Sequence, residues 1–197
     1  MPTSPAGRSG LRSQFHHLLV NTFIANVTTS FLWFALTFWV YLETRSVLAT
    51  AIIGGAFMLL VAAMGVPFGT WIDRTRKKQV MLVAAVITAI MFTLSLGLYL
   101  IVPASELLRI GSPAFLGFTG LILLGAVVES ARGIALSTCV TLMIAEDERA
   151  RVNGLVGMVN GLGFAVTSVF SGLAIGQLGM GWTLVIAVAS PPCRWCT

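Results

Sequence analysis

The chain has 197 residues, of which 57% are hydrophobic and only 10% are charged. A soluble domain carries about 25% charged residues, so this composition excludes a soluble domain and predicts an integral membrane protein surrounded by lipid. The formal net charge of +5 would suit a nucleic-acid partner. The basic residues, however, lie in short segments between apolar runs and form no known binding motif, so no nucleic-acid partner is predicted.

Five segments are apolar over about 20 residues or more, the length that a helix needs to cross a hydrocarbon core of about 30 Å. In chain order they cover residues 18–41, 47–68, 79–102, 114–143 and 152–178. The first segment is too long for a signal peptide and has no small-residue cleavage site, so it is predicted to stay in the protein. The sequence therefore predicts an all-α fold, a polytopic bundle of membrane helices.

A sixth apolar segment begins at Gly181 and meets Pro191 and Pro192 after ten residues. Ten residues are too few to cross a membrane, and paired prolines break a helix. We therefore expect five full transmembrane helices plus a partial sixth, and a natural product that continues past Ser190. The predicted organisation is a cytoplasmic tail over residues 1–17, an incomplete six-helix domain over 18–190 and an aberrant or truncated end over 191–197.

The orientation follows from the lysines and arginines of the short connections, because cytoplasmic loops collect these residues. One side of the membrane is predicted to carry Arg8, Arg12, Arg74, Arg76, Lys77, Lys78, Arg149 and Arg151. The other side carries Arg45 and Arg109. This asymmetry predicts a multi-pass protein of the cell membrane with its N-terminus in the cytoplasm.

Two charges lie inside the fourth segment, at Glu129 and Arg132. At about 1.5 Å per residue, Arg132 is roughly 18 Å from the cytoplasmic end of this helix, near the membrane midplane. Charges at this depth usually mark a substrate or proton pathway, and a separation of three positions allows the two side chains to pair. Glu129 is predicted to carry protons, and Arg132 to anchor an anionic group or tune a nearby carboxyl. A self-neutralising pair that only bridges helices is the alternative.

Polar side chains in the first and fifth segments are weaker candidates for a substrate or proton pathway. Asn26 shares a helix face with Thr22 and Ser30, and these side chains either line a cavity or hydrogen-bond to a neighbouring helix. Asn160 is the only strongly polar side chain in the middle of the fifth segment. The same segment contains two glycine pairs, Gly157 with Gly161 and Gly172 with Gly176, and the four-residue spacing within each pair predicts close packing against another helix.

Residues 69–78, between the second and third segments, hold five of the nineteen charges of the chain. They resemble the loop after the second helix of major facilitator superfamily transporters, which runs Gly-x-x-x-Asp-Arg-x-Gly-Arg-Lys. The matching residues are Gly69, Asp73, Arg74, Lys77 and Lys78. Arg76 stands where the family usually has a second glycine, the residue that most freely adopts left-handed backbone angles.

The resemblance extends over residues 21–190, and the first segment and the Arg132-Gly133 step look like those of drug and siderophore exporters. It implies the N-terminal half of a secondary transporter that is driven by an ion gradient, most simply of protons. In the family the loop acts as a latch, a role that would fall to Asp73 and Arg74, with Glu146, Asp147 and Glu148 supplying negative charge nearby. The simpler alternative for Arg76, Lys77 and Lys78 is that they hold the loop in the cytoplasm.

Full members of the superfamily form a cavity between two halves that rock against each other. The resemblance therefore implies a small-molecule substrate and a partner, either a missing C-terminal half or a second copy, without which no transport is expected. Two alternatives stay open: a half-transporter that acts as a dimer, and a structural membrane subunit.

An enzyme is not predicted, because the only two histidines, His16 and His17, lie at the edge of the first segment. An ATP-driven pump is excluded because the chain contains no glycine-rich motif that ends in Lys-Ser or Lys-Thr. Cys193 and Cys196 have neither a second pair nor a histidine beside them, which is weak evidence for a metal site. We therefore predict no metal and no cofactor.

Overall fold

The computed structural model describes residue 24, residues 27–143 and residues 146–189. Within these ranges the chain forms helices joined by short breaks, and no strand is found there. In chain order the helices are α1 (27–44), α2 (Val47–Arg74), α3 (Lys77–Ile101), α4 (Ala104–Leu107), α5 (Pro113–Met143) and α6 (Glu146–Ala189). The predicted all-α class is confirmed.

Four helical segments among the described residues are long and apolar enough to cross a membrane. They are Val47–Arg74, Lys77–Ile101, Pro113–Ala135 and Asn153–Ala189. They confirm a polytopic membrane protein. The count of five full helices plus a partial sixth stays a prediction, because residues 18–23 of the first predicted segment lie outside the described ranges.

A backbone break divides α6 close to the predicted end of the fifth apolar segment. Gly179 has φ 75° and ψ 174°, and the residues on both sides of it are helical. Glycine adopts this positive φ without the steric penalty that a side chain would introduce. The fifth and sixth predicted segments are therefore joined by a kink, with no loop between them.

The fifth helix lies at the centre of the described bundle, where it packs against α2, α3, α4 and α6. Its Phe118 is fully buried and contacts aromatic rings on two other helices. The ring centroids are 5.5 Å from Trp39 on α1 and 6.1 Å from Tyr99 on α3. Aromatic pairs at such distances stabilise a core beyond the burial of their area. The charged positions of α5 are thus carried by the most enclosed helix.

The closest glycine contact among the described residues is on α5. A Cβ atom added at Gly157 or at Gly161 would meet nothing within 4 Å among the described atoms. A Cβ atom added at Gly125 would lie 2.6 Å from Cε1 of Phe92. Among the described residues this face of α6 is exposed while α3 crosses α5 closely, so close packing through Gly157 and Gly161 stays a prediction.

Candidate functional site

The predicted ion pair forms in the structure. Nε of Arg132 lies 3.2 Å from Oε1 of Glu129, and the two side chains are 2% and 8% exposed. Both side chains come from one face of α5, as their three-residue separation requires. Because an isolated buried charge is very costly, the pairing allows both ionised groups to stay inside the bundle. Their assignment to a proton or substrate pathway stays a prediction.

A hydroxyl group from α3 reaches the turn of α5 that carries Glu129. The Oγ1 of Thr88 donates a hydrogen bond of 3.1 Å to the carbonyl oxygen of Gly125. Side chains of a helix lean towards its N-terminus, so the Glu129 carboxyl extends over the turn that contains Gly125. The candidate site therefore consists of Glu129 and Arg132 from α5 together with Thr88 from α3.

The short distance between α3 and α5 at this point depends on a missing side chain. Phe92 lies one turn after Thr88 on α3, is buried, and occupies the space where a side chain of residue 125 would begin. Met91 is the next nearest, with its Cβ 3.3 Å from the same point. A glycine at position 125 thus lets the backbone of α5 approach α3 closely enough for the hydrogen bond from Thr88.

Sequence reasoning missed Thr88 and Gly125. A weak signal existed for both, since Gly125 precedes Glu129 by one helical turn and Thr88 is a polar residue in the middle of an apolar segment. Neither signal identifies the partner helix, because a threonine in an apolar helix usually bonds to its own backbone. Thr93 does so on the same helix, donating to the carbonyl of Ala89 at 2.8 Å.

Of the two asparagines predicted to line the pathway, only Asn160 lies among the described residues. Asn26 lies outside the described residues. Asn160 is half-buried on α6, and its role in a pathway stays a prediction.

The segment that was predicted as a loop between the second and third membrane segments is mostly helical. Gly69, Asp73 and Arg74 lie on the last turns of α2, and Lys77 and Lys78 begin α3. Only residues 75–76 separate the two helices. The prediction that residues 69–78 form a loop is therefore wrong, and the motif lies at the two-residue corner between α2 and α3.

The physical reason is an apolar residue inside the charged motif. Ile72 is fully buried and packs in a cluster with Val80 and Met81 of α3 and Ala135 of α5. This burial favours continuing α2 beyond the apolar segment. Arg74 in the last turn also stabilises the helix, because cations interact favourably with its C-terminal dipole.

The position where the family usually has a second glycine needs no glycine here. Arg76 has φ −68° and ψ 123°, an extended conformation that any residue adopts.

Asp73 is exposed and forms no ion pair with another described residue. The side chains of Glu146, Asp147 and Glu148, the predicted sources of nearby negative charge, are outside the described set. The latch role of this corner thus stays a prediction.

Comparison with known proteins identifies one family. A family model described as Major Facilitator Superfamily matches residues 18–193. The match spans all the helices described above. No curated protein and no solved structure matches the chain.

Proposed function

The chain belongs to the major facilitator superfamily of membrane transporters, and on that basis we propose that it serves proton-coupled efflux of a small molecule. The observation that supports this function is the buried pair of Glu129 and Arg132 on the central helix, with 3.2 Å between the paired atoms. Ionisable residues inside a membrane bundle are costly and usually belong to ion or substrate pathways.

The chemistry of the two side chains assigns them different parts of the proposed cycle. Arginine stays protonated in proteins, whereas a carboxyl group can bind and release a proton. Ionised Glu129 neutralises Arg132. Ionised Glu129 can also bind a cationic or hydrogen-bond-donating group of the substrate, whereas protonated Glu129 has lost the charge that attracts it. Proton binding and substrate binding at Glu129 thereby exclude each other, as efflux in exchange for protons requires.

Alternating access in this superfamily rocks one helix bundle against another around a central site. We propose that this chain supplies one wall of that cavity. The second wall would come from a C-terminal half or from a second copy of the chain. The cytoplasmic orientation of the α2–α3 corner belongs to the same proposal, and it is supported by the cluster of Arg74, Arg76, Lys77 and Lys78 at that end.

A cell-based accumulation assay tests the proposed activity. The chain is expressed in a host that lacks its own efflux pumps, and the cells are exposed to a panel of lipophilic toxic compounds and iron-chelating siderophores. With a second copy of the chain as the other wall of the cavity, we expect lower accumulation of at least one compound than in vector-only cells, and we expect an uncoupler of the proton gradient to remove this difference. Equal accumulation of the whole panel in both cell lines would count against efflux by two copies of the chain.

The proposed latch at the α2–α3 corner predicts a loss of transport in Asp73→Asn. The change removes one charge without changing size, at an exposed position. A hydrogen bond to a charged group is worth about 1.5–3 kcal/mol, so transport should fall by roughly tenfold or more. Membrane insertion and abundance should stay normal.

The matched control for Asp73→Asn is Glu43→Gln. Glu43 is an exposed acid at the C-terminal end of α1, at the opposite end of the bundle from Asp73. We expect Glu43→Gln to transport like the unchanged protein. A normal rate in Asp73→Asn, at normal abundance, would refute the latch.

A further inference from the structure

Four cations are gathered at the α2–α3 corner. Arg74 ends α2, Arg76 lies in the two-residue break, and Lys77 and Lys78 begin α3. Three of these side chains are exposed, and that of Lys77 is half-buried. The acid beside them in sequence is Asp73, and no described residue forms an ion pair with any of the four cations. The corner therefore presents positive charge that the described part of the chain does not neutralise.

The corner lies at the boundary of the apolar core. Helix α2 is long and apolar enough to cross a membrane and ends at Arg74, and α3 has the same character and begins at Lys77. Trp71 is half-buried in the last turn of α2, and its ring lies 6.5 Å from that of Phe68. Tryptophan is enriched at the depth of the lipid headgroups. Arg74 follows Trp71 by about one helical turn, so the cations begin at headgroup depth.

Packing holds the corner in place. Ile72 is fully buried and packs against Val80 of α3 and Ala135 of α5. The Oγ1 of Thr75 donates a hydrogen bond to the carbonyl oxygen of Trp71. The cations are therefore carried by a fixed backbone, and a ligand that binds them would have little of the chain left to order.

The positions of these cations do not favour α3 itself. The first turn of a helix is the positive end of its dipole, where acids are favourable and cations are unfavourable. The first turn of α3 contains no acid, and its N-cap residue, Arg76, forms no side-chain cap. Holding the segment in the cytoplasm requires basic residues on that side of the membrane, but it does not require Lys77 and Lys78 in the first turn of a helix. An anion from outside the chain would offset this unfavourable arrangement.

We propose that the α2–α3 corner binds the phosphate group of an anionic phospholipid. Clusters of lysine and arginine next to a membrane helix attract anionic headgroups, and the planar guanidinium of arginine suits two phosphate oxygens at once. The depth of Trp71 favours a lipid over a soluble anion. The site is independent of the proposed transport cycle, since it uses neither Glu129 nor Arg132.

The experiment measures quenching of tryptophan fluorescence by brominated lipids. The purified full chain is placed in phosphatidylcholine vesicles that contain increasing amounts of brominated phosphatidylglycerol, and brominated phosphatidylcholine provides the reference. The contribution of Trp71 is the difference between the unchanged protein and Trp71→Phe. We expect phosphatidylglycerol to be preferred at Trp71 by about tenfold or more, and we expect this preference to decrease as the salt concentration is raised.

Three variants test whether the charges of the corner cause this preference. Lys78→Gln removes one exposed cation and should lower the preference by about fivefold. Asp73→Asn removes the neighbouring acid and should raise the preference. The control is Arg45→Gln, because Arg45 is an exposed arginine just before the other end of α2. It should leave the preference at Trp71 unchanged.

Equal quenching of Trp71 by the two lipids would overturn the proposed site. The same preference in Lys78→Gln and in the unchanged protein would also overturn it, and this is the result expected if Glu146, Asp147 and Glu148 neutralise the corner. Displacement of phosphatidylglycerol by glycerol 3-phosphate at constant ionic strength would show a site for soluble phosphates and would overturn the assignment to a lipid.

Discussion

Arg132→Leu, with Glu129 kept in place, is expected to destabilise the bundle by about 3–5 kcal/mol, because it leaves a buried carboxyl without its opposite charge. The Glu129 side chain is only 8% exposed, so water cannot replace the guanidinium. The measurement is thermal unfolding of the purified protein in detergent, with abundance in the membrane as a second readout.

The control is the double variant in which Glu129 and Arg132 are both replaced by leucine. Replacing a buried ion pair with apolar residues of similar volume is often neutral or stabilising, and an apolar pair suits a membrane helix. We therefore expect the double variant to be close to the unchanged protein in stability, although inactive. Equal destabilisation in the single and double variants would show that the pair is not the source of the effect.

Gly125→Ala is expected to destabilise the contact between α3 and α5 by about 1–3 kcal/mol, the usual effect of forcing an extra group into a packed core. The new Cβ would lie 2.6 Å from Cε1 of Phe92, so a buried ring must move. Separation of the helices would also lengthen the hydrogen bond from Thr88. Thermal unfolding of the purified protein measures the combined effect.

Gly120→Ala on the same helix is the control, because a Cβ atom there meets nothing within 4 Å. That variant should be neutral or gain up to about 1 kcal/mol, since alanine favours a helix more than glycine does. Phe92→Leu should restore part of the stability lost in Gly125→Ala by making room for the methyl group. If Gly125→Ala and Gly120→Ala are equally stable, the close approach at Gly125 is not required.

The membrane class and the ion pair could be predicted from the sequence because each depends on local information. Apolar length identifies a membrane segment without any knowledge of its neighbours. The three-residue spacing of Glu129 and Arg132 similarly puts the two side chains on one helix face before any packing is known.

The α2–α3 corner shows where local information fails. The charges of residues 69–78 suggested a loop, because basic residues between apolar segments are typical of loops. The helix continues there because Ile72 is buried against Val80 and Ala135, and this burial depends on partners from two other helices. A single apolar residue in a charged stretch does not reveal them.

The same limit explains why the sequence points to Gly157 and Gly161 and gives no comparable signal for Thr88 and Gly125. A glycine spacing shows that two helices can approach closely, but it does not show whether a partner helix is present. Among the described residues, α3 lies against Gly125, whereas Gly157 and Gly161 are exposed. Only the three-dimensional arrangement distinguishes these cases.

The central claim is that Glu129 carries the proton that drives transport, and a pair of flux measurements on Glu129→Gln tests it most directly. In proteoliposomes, a substrate found by the accumulation assay is followed in two ways: exchange across the membrane without a gradient, and accumulation driven by an imposed pH gradient. Glutamine keeps a hydrogen-bond acceptor for Arg132 but cannot release a proton. The account predicts that exchange persists and that gradient-driven accumulation is abolished. Gradient-driven accumulation at the rate of the unchanged protein would contradict it.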